Sequence, residues 1–160
     1  MSGLLERIAA ARAAGDLGQL VAEIPYASFL GLSCAVVDGE LITTMAAGAH
    51  LVGNPQLPAI HGGALGALLE SAAAFTLIWS AETALLPRTI TITFDYLRSA
   101  RPVATFARGI IIRHGRRVAT VRVEAWQDDR TQPVAAAHGH FLIKRDVQPD
   151  GPATPRPDRT

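Results

Sequence analysis

The run from His61 to Glu70, HGGALGALLE, combines two features that carbonyl chemistry needs. Gly62 and Gly63 open what reads as an apolar helix, and the first amides of a helix have no acceptor within it. They point outward, with the positive end of the helix dipole behind them. Glu70 follows two turns later among Leu68, Leu69, Ala72, Ala73 and Ala74, which offer little polar company. An amide that polarises a carbonyl, with a shielded carboxylate that attacks it or activates water, is a minimal acyl-transfer site. Gly-Gly also makes tight turns, and most glutamates are solvated. The uncharged neighbours of Glu70 favour the chemical reading.

Spacing adds a constraint. Gly62 and Glu70 lie about 12 Å apart along one helix axis. One helix cannot bring both groups to the same carbonyl. If both act on one substrate, they come from two chains, and two antiparallel copies of the helix about a two-fold axis satisfy that. The sequence therefore predicts an obligate homodimer with two sites, alone or doubled into a homotetramer.

The elements that must position these groups are legible as periodicities. Residues 4–22 carry helical spacing, broken near Gly15 and Gly18, and Ile24 to Leu30 adds a short turn of helix. Cys34 and Val36, then Asp38-Gly39, then Leu41, Ile42 and Met45 read as a β-hairpin. Residues 48–60 are rich in Gly and Pro and read as a loop. After the helix at about 62–80, strands are predicted at Thr89 to Leu97, Pro102 to Arg113, Arg116 to Gln127 and Val134 to Lys144, as a meander. Period-2 spacing places Thr91 and Thr93 on the same face as Thr89. The expected architecture is α+β, a curved antiparallel sheet wrapped around one long helix. Residues 1–30 form an N-terminal helical segment, 31–146 the main domain, and 147–160 a disordered Pro-rich tail.

Composition narrows the function. Hydrophobic residues make up 49% and charged residues 18%, enough apolar mass for a real core. A net charge of +1 argues against nucleic acid as the partner. The single cysteine, Cys34, excludes an internal disulfide and thiolate-pair metal sites. Residues 59–81 are apolar but interrupted by Gly66, Glu70, Ser71 and Ser80, which fits a buried helix better than a membrane span. The N-terminus lacks a secretory pattern. A cytoplasmic protein without membrane attachment, metal or cofactor is expected.

Asn54, His61-Gly62-Gly63, Glu70 and the strand TITITFDYLRSARP together resemble the hotdog fold, and within it the acyl-CoA thioesterases of the PaaI-like, phenylacetate-pathway group. The resemblance covers roughly residues 30–144. Glu70 stands where many members carry Asp, and other hotdog thioesterases use Glu on this helix. The resemblance implies that the Gly62 amide polarises the thioester carbonyl and that Glu70 is nucleophile or general base. It implies that a hydroxyl near Thr89 orients the attacking water. Asn54 and His61 join the catalytic set, His61 by fixing the loop, and Gly63 lies beside the substrate. It also implies dimers with sites at the interface, coenzyme A entering only as part of the substrate, and an acyl group lying between the helices near Leu57, Ile60, Leu65, Leu69, Phe75 and Trp79.

Arg113, Arg116 and Arg117 cluster at a hairpin tip, with Arg98, Arg101 and Arg108 nearby in sequence. Guanidinium forks suit the phosphates of CoA, although charged turns also protect sheet edges. The leading expectation is hydrolysis of a medium-chain or aryl acyl-CoA. A hydratase acting on enoyl-CoA is disfavoured because no acidic residue lies five or six positions before His61. A non-catalytic acyl-CoA-binding domain, or a thioesterase for carrier-protein-bound acyl groups, are the alternatives. His138 and His140 share a strand face but lack a third metal ligand nearby in sequence.

Overall fold

The computed structural model describes residues 2–81 and 86–143; the predicted tail at 147–160 lies outside them. Three helices come first: α1 (Ser2–Ala14), α2 (Leu17–Ala22) and α3 (Pro25–Phe29). Gly15, at φ 67°, ends α1, and the Asp16 carboxylate caps α2 by accepting from Gln19 N–H at 2.9 Å. Gly18, expected to break the pattern, lies inside α2.

Strands β1 (Leu32–Val37) and β2 (Glu40–Met45) form the predicted hairpin. Asp38 and Gly39 both have positive φ, 52° and 79°, as a tight two-residue hairpin turn demands. Residues 48–60 are more ordered than a loop. They hold a 3-10 turn (Ala49–Leu51) and a small hairpin of β3 (Val52–Asn54) and β4 (Ala59–Ile60). Then come α4 (Gly62–Ser80), β5 (Arg88–Tyr96), β6 (Thr105–His114), β7 (Val118–Trp126) and β8 (Ala135–Leu142).

The main sheet is antiparallel in the order β1-β2-β6-β7-β8-β5. This is the hotdog arrangement, with α4 packed along the sheet. The late strands are not a simple meander. β5 pairs with β8 at the sheet edge, and β6 pairs with β2. The packing of α4 explains the departure. Gly109 on β6 lies where a Cβ would be 2.6 Å from Thr76 Oγ1, so the middle of the helix presses directly on β6. The aromatic rings of β5 instead pack beside the helix start. The connection 97–104 spans the gap, tied by Leu97 and Arg98 N–H to Val134 O and by Ile60 N–H to Ala100 O.

Helix α4 is long and apolar enough to cross a membrane, yet it is the core helix. Leu65, Leu68, Leu69, Ala72, Phe75, Leu77 and Ile78 are buried with Met45, Ala107, Val121, Val123, Ala137 and Phe141 of the sheet. Its least buried stripe is Gly63, Ala67, Glu70 and Ala74, one carboxylate among small residues.

Candidate active site

Three residues of α4 at helical spacing, Gly62, Gly66 and Glu70, meet β5 in turn. A Cβ on Gly62 would lie 3.3 Å from the Tyr96 ring, and one on Gly66 3.4 Å from Phe94. Glu70 Oε1 accepts the Thr89 hydroxyl at 2.5 Å. Helix and strand therefore run antiparallel, with Tyr96 at the helix start and Thr89 two turns on.

Thr89 reaches Glu70 because of a bulge. Phe94 pairs with Ala137 and Ile92 with Gly139, but the register shifts between Thr89 and Thr91, so that Thr89 pairs with Phe141. Thr89 joins the helix-facing side, as Phe141 does. Thr91 and Thr93, paired with His140 and His138, face away. Thr91 and Thr93 share a face, as their spacing requires, but Thr89 does not join them: period-2 reasoning fails wherever an extra residue enters a strand.

The start of α4 is a clamped pair of peptides. The His61 carbonyl accepts from Ala64 N–H at 2.9 Å and Leu65 N–H at 3.2 Å. Gly63 N–H donates to His61 Nδ1 at 2.9 Å, which makes the imidazole the N-cap of the helix. The Tyr96 hydroxyl donates to the Gly62 carbonyl at 2.9 Å. The Gly62 N–H has no acceptor among the described residues. An amide without an acceptor at the positive end of a 19-residue helix has the chemistry to donate to an anionic oxygen.

No cation pairs with Glu70 among the described residues. Its carboxylate accepts from a hydroxyl, which orients one oxygen. Asn54 is elsewhere occupied: its Oδ1 accepts from Gln56 N–H at 3.0 Å and Leu57 N–H at 3.4 Å, closing the β3–β4 turn. No hydrogen bond joins it to Gly62, Glu70 or Thr89. Leu69 and Phe75 are fully buried and Leu65 nearly so, in the core. Leu57 is exposed. Burial pushes the Cys34 thiol up to about 11 against a weaker opposing hydrogen bond with Thr43, which disfavours the thiolate. Among the described residues, no group of three His, Cys, Asp or Glu could hold a metal.

Tyr96 is the site residue that the sequence reading missed. Its signal was present: Gly62 and Gly66 share one helix face, and a smooth glycine face invites a ring. The expected arginine cluster divides. Arg108 pairs with Glu40 and Glu124, Arg101 with Asp128, and Arg98 donates to Pro133 O. Arg113, Arg116 and Arg117 remain together beside a cavity of about 310 Å³.

A hotdog sheet packed on one long helix brings together a helix-start amide without an internal acceptor and a hydroxyl-held carboxylate. The relationship agrees. The chain belongs to the acyl-CoA thioesterase N-terminal domain family, which it matches over residues 52–142. A comparison with curated proteins returns no match. Among solved structures, a Chromobacterium violaceum protein is 38% identical, with 89% of this chain and 99% of that chain covered and a TM-score of 0.71. A phenylacetic acid degradation-related protein of Ralstonia eutropha is 28% identical, covering 75% and 90%, with a TM-score of 0.67. The phenylacetic acid degradation protein PaaI of Thermus thermophilus is 25% identical, covering 75% and 99%, with a TM-score of 0.62.

Proposed function

We propose that this protein hydrolyses the thioester of a medium-chain or aryl acyl-CoA to the free acid and CoA. The observation that carries the reading is the Glu70 carboxylate, held by Thr89 on the least buried side of α4 and paired with no cation among the described residues. Glu70 either deprotonates a water that attacks the carbonyl, its proton passing on to the leaving thiolate, or attacks with its own oxygen to give a mixed anhydride that a water then hydrolyses to the free acid, restoring Glu70. The carbonyl oxygen gathers negative charge at the Gly62 N–H. The C–S bond then breaks, and the CoA thiolate leaves and is protonated.

The two groups belong to one helix and cannot share a carbonyl, so the working site takes Glu70 from one protomer and Gly62 from its partner. Strand β5 supports this arrangement. Its outer edge pairs with no strand among the described residues, and Ile90, Tyr96 and Leu97 are exposed. A second copy placed antiparallel there would continue the sheet and set the small-residue stripes of two α4 helices face to face. Tetramer formation and a cytoplasmic location belong to the same reading.

The test is thiol release from a panel of acyl-CoAs by wild type, Glu70→Gln and Glu70→Ala. Release by wild type, lost in both folded variants, supports the proposal. No release from any acyl-CoA by the folded protein would move the weight to carrier-bound substrates or to a non-catalytic binding role.

A further inference from the structure

We infer that the open edge of β5 pairs with its own copy in one register, with Thr93 on the two-fold axis, and that Tyr96 of each protomer thereby stands opposite the partner's Thr89. The inference rests on the reading that Gly62 and Glu70 of two copies share one substrate. It adds the register, which that reading leaves open, and assigns the Ile90 bulge a role in it.

Helix α4 locates the axis once. Gly62 of one copy meets Glu70 of the other only if the two helices pass one another near the midpoint between those residues, Gly66. A Cβ on Gly66 would lie 3.4 Å from the Phe94 ring, so the axis crosses β5 close to Phe94.

Strand β5 locates it again, from different facts. Phe94 and Tyr96 face the helix, and Ile92 packs with them against the core. Thr91, Thr93 and Asp95 alternate with these and face away. Opposed residues of an antiparallel pair share a face, so a slip of one residue would set Phe94 against outward threonines. Every in-phase register puts one residue of β5 on the axis. Asp95 there would oppose its own charge. Thr91 or Ile92 there would drive the extra residue Ile90 into the ladder. Phe94 there would slide Gly62 two residues, about 7 Å, out of line with the partner's Glu70.

Thr93 on the axis avoids all three faults. Thr91 then opposes the partner's Asp95, and Ile92 the partner's Phe94. Thr89 is four residues from Thr93 and Tyr96 is three. The extra residue Ile90 makes up the difference, so Thr89 and the partner's Tyr96 come opposite one another on the helix side. The Thr89 hydroxyl holds Glu70 at 2.5 Å, and the Tyr96 hydroxyl holds the Gly62 carbonyl at 2.9 Å. One strand pair thus aligns the two halves of each site, with Tyr96 as a positioning residue for the chemistry of the other chain.

The test places single cysteines on the outward face of β5 in a Cys34→Ser background, oxidises with diamide and reads covalent dimer by non-reducing electrophoresis. Opposed residues stand about 5 Å apart, within the span of about 7 Å that a disulfide tolerates. Thr93→Cys is expected to link to its own copy. Thr91→Cys and Asp95→Cys each lie about 13 Å from their own copies. Each is expected to stay unlinked alone and to link when the two variants are mixed and allowed to exchange. Three results would overturn the register: a monomeric protein by sedimentation, Thr93→Cys chains that stay unlinked, or Thr91→Cys or Asp95→Cys linking alone as readily as Thr93→Cys. The linked Thr93→Cys dimer is expected to cleave acyl-CoA at the wild-type rate. A linked dimer that is inactive and recovers on reduction would overturn the claim that this register builds the site. If wild type cleaves no acyl-CoA, the hydrolysis reading fails, and the pattern of linkage still decides the register.

Discussion

The two edges of the sheet carry similar exposed apolar residues and opposite surroundings. Strand β1 has α2 and α3 packed against it and ends in a hairpin whose tip exposes Val36 and Val37. Strand β5 has one neighbour, β8, and contributes Thr89 to Glu70 and Tyr96 to the start of α4. A long unpaired edge is an invitation to pairing that proteins normally block. Here the N-terminal helices pack on the edge remote from Glu70, and the open edge carries its partner Thr89. On the reading proposed above, the open side of β5 is where a second copy would supply the missing half of the site.

The largest effect that would test this contrast is chemical. Glu70→Gln keeps the size of the side chain and removes the base; kcat is expected to fall by about 10²–10⁴, measured as thiol release at saturating substrate. Next comes a matched pair of charges. Ile90 on β5 is 53% exposed and Val37 on β1 is 51% exposed, so one chain predisposes neither more than the other to tolerate glutamate. Ile90→Glu is expected to weaken the dimer by about 30-fold or more, with activity falling at low protein concentration. Val37→Glu is expected to leave both unchanged. Sedimentation at a series of concentrations reads the comparison, and equal behaviour of the pair would break it.

Tyr96→Phe sharpens the account at finer scale. It removes one hydrogen bond to the Gly62 carbonyl and leaves the ring on the glycine face. A kcat loss of about fivefold is expected, with KM held, since such a bond is worth roughly 1 kcal/mol. The smallest effect lies on the outer face, remote from both edges' chemistry. Glu40 has a lowered pKa, chiefly from its hydrogen bond to Arg130 and further from Arg108. A carboxyl depressed in the folded state stabilises above its ordinary value near 4.5 and loses that contribution as pH falls through the folded value. Glu40→Gln is expected to cost at most about 1 kcal/mol near neutrality, because the pair is solvent-screened, and nothing once the pH is well below 4. Urea titrations at the two pH values measure it.

How far the sequence carried depends on how local each feature is. The helix-start glycines, Glu70, and the Asp38-Gly39 turn are local patterns, and the structure places them as their spacing requires. The placement of β5 beside β8 was not legible, because it depends on where α4 presses, at Gly109 through Thr76. The resemblance implied a water-orienting hydroxyl near Thr89, but its hydrogen bond to Glu70 was not legible, since the bulge before Thr91 inverts the face that simple alternation assigns. The division of the arginines was equally hidden. Glu40 and Arg130 are 90 residues apart, and only the fold reveals which cations are spent and which remain.

The measurement closest to the central claim is subunit complementation. Glu70→Gln removes one half of the site. Gly62→Pro removes the other, since proline at the first helical position deletes the amide hydrogen with little cost to the helix, and His61 already has the extended backbone, φ −61° and ψ 135°, that must precede it. Each variant alone is expected to be inactive. Mixed and allowed to exchange, half the dimers carry one chain of each kind, and one of their two sites draws Gly62 and Glu70 from unaltered positions. Recovery of about a quarter of wild-type activity is the expected result. Mixed dimers that form and remain inactive would contradict the account and place the whole site within one chain.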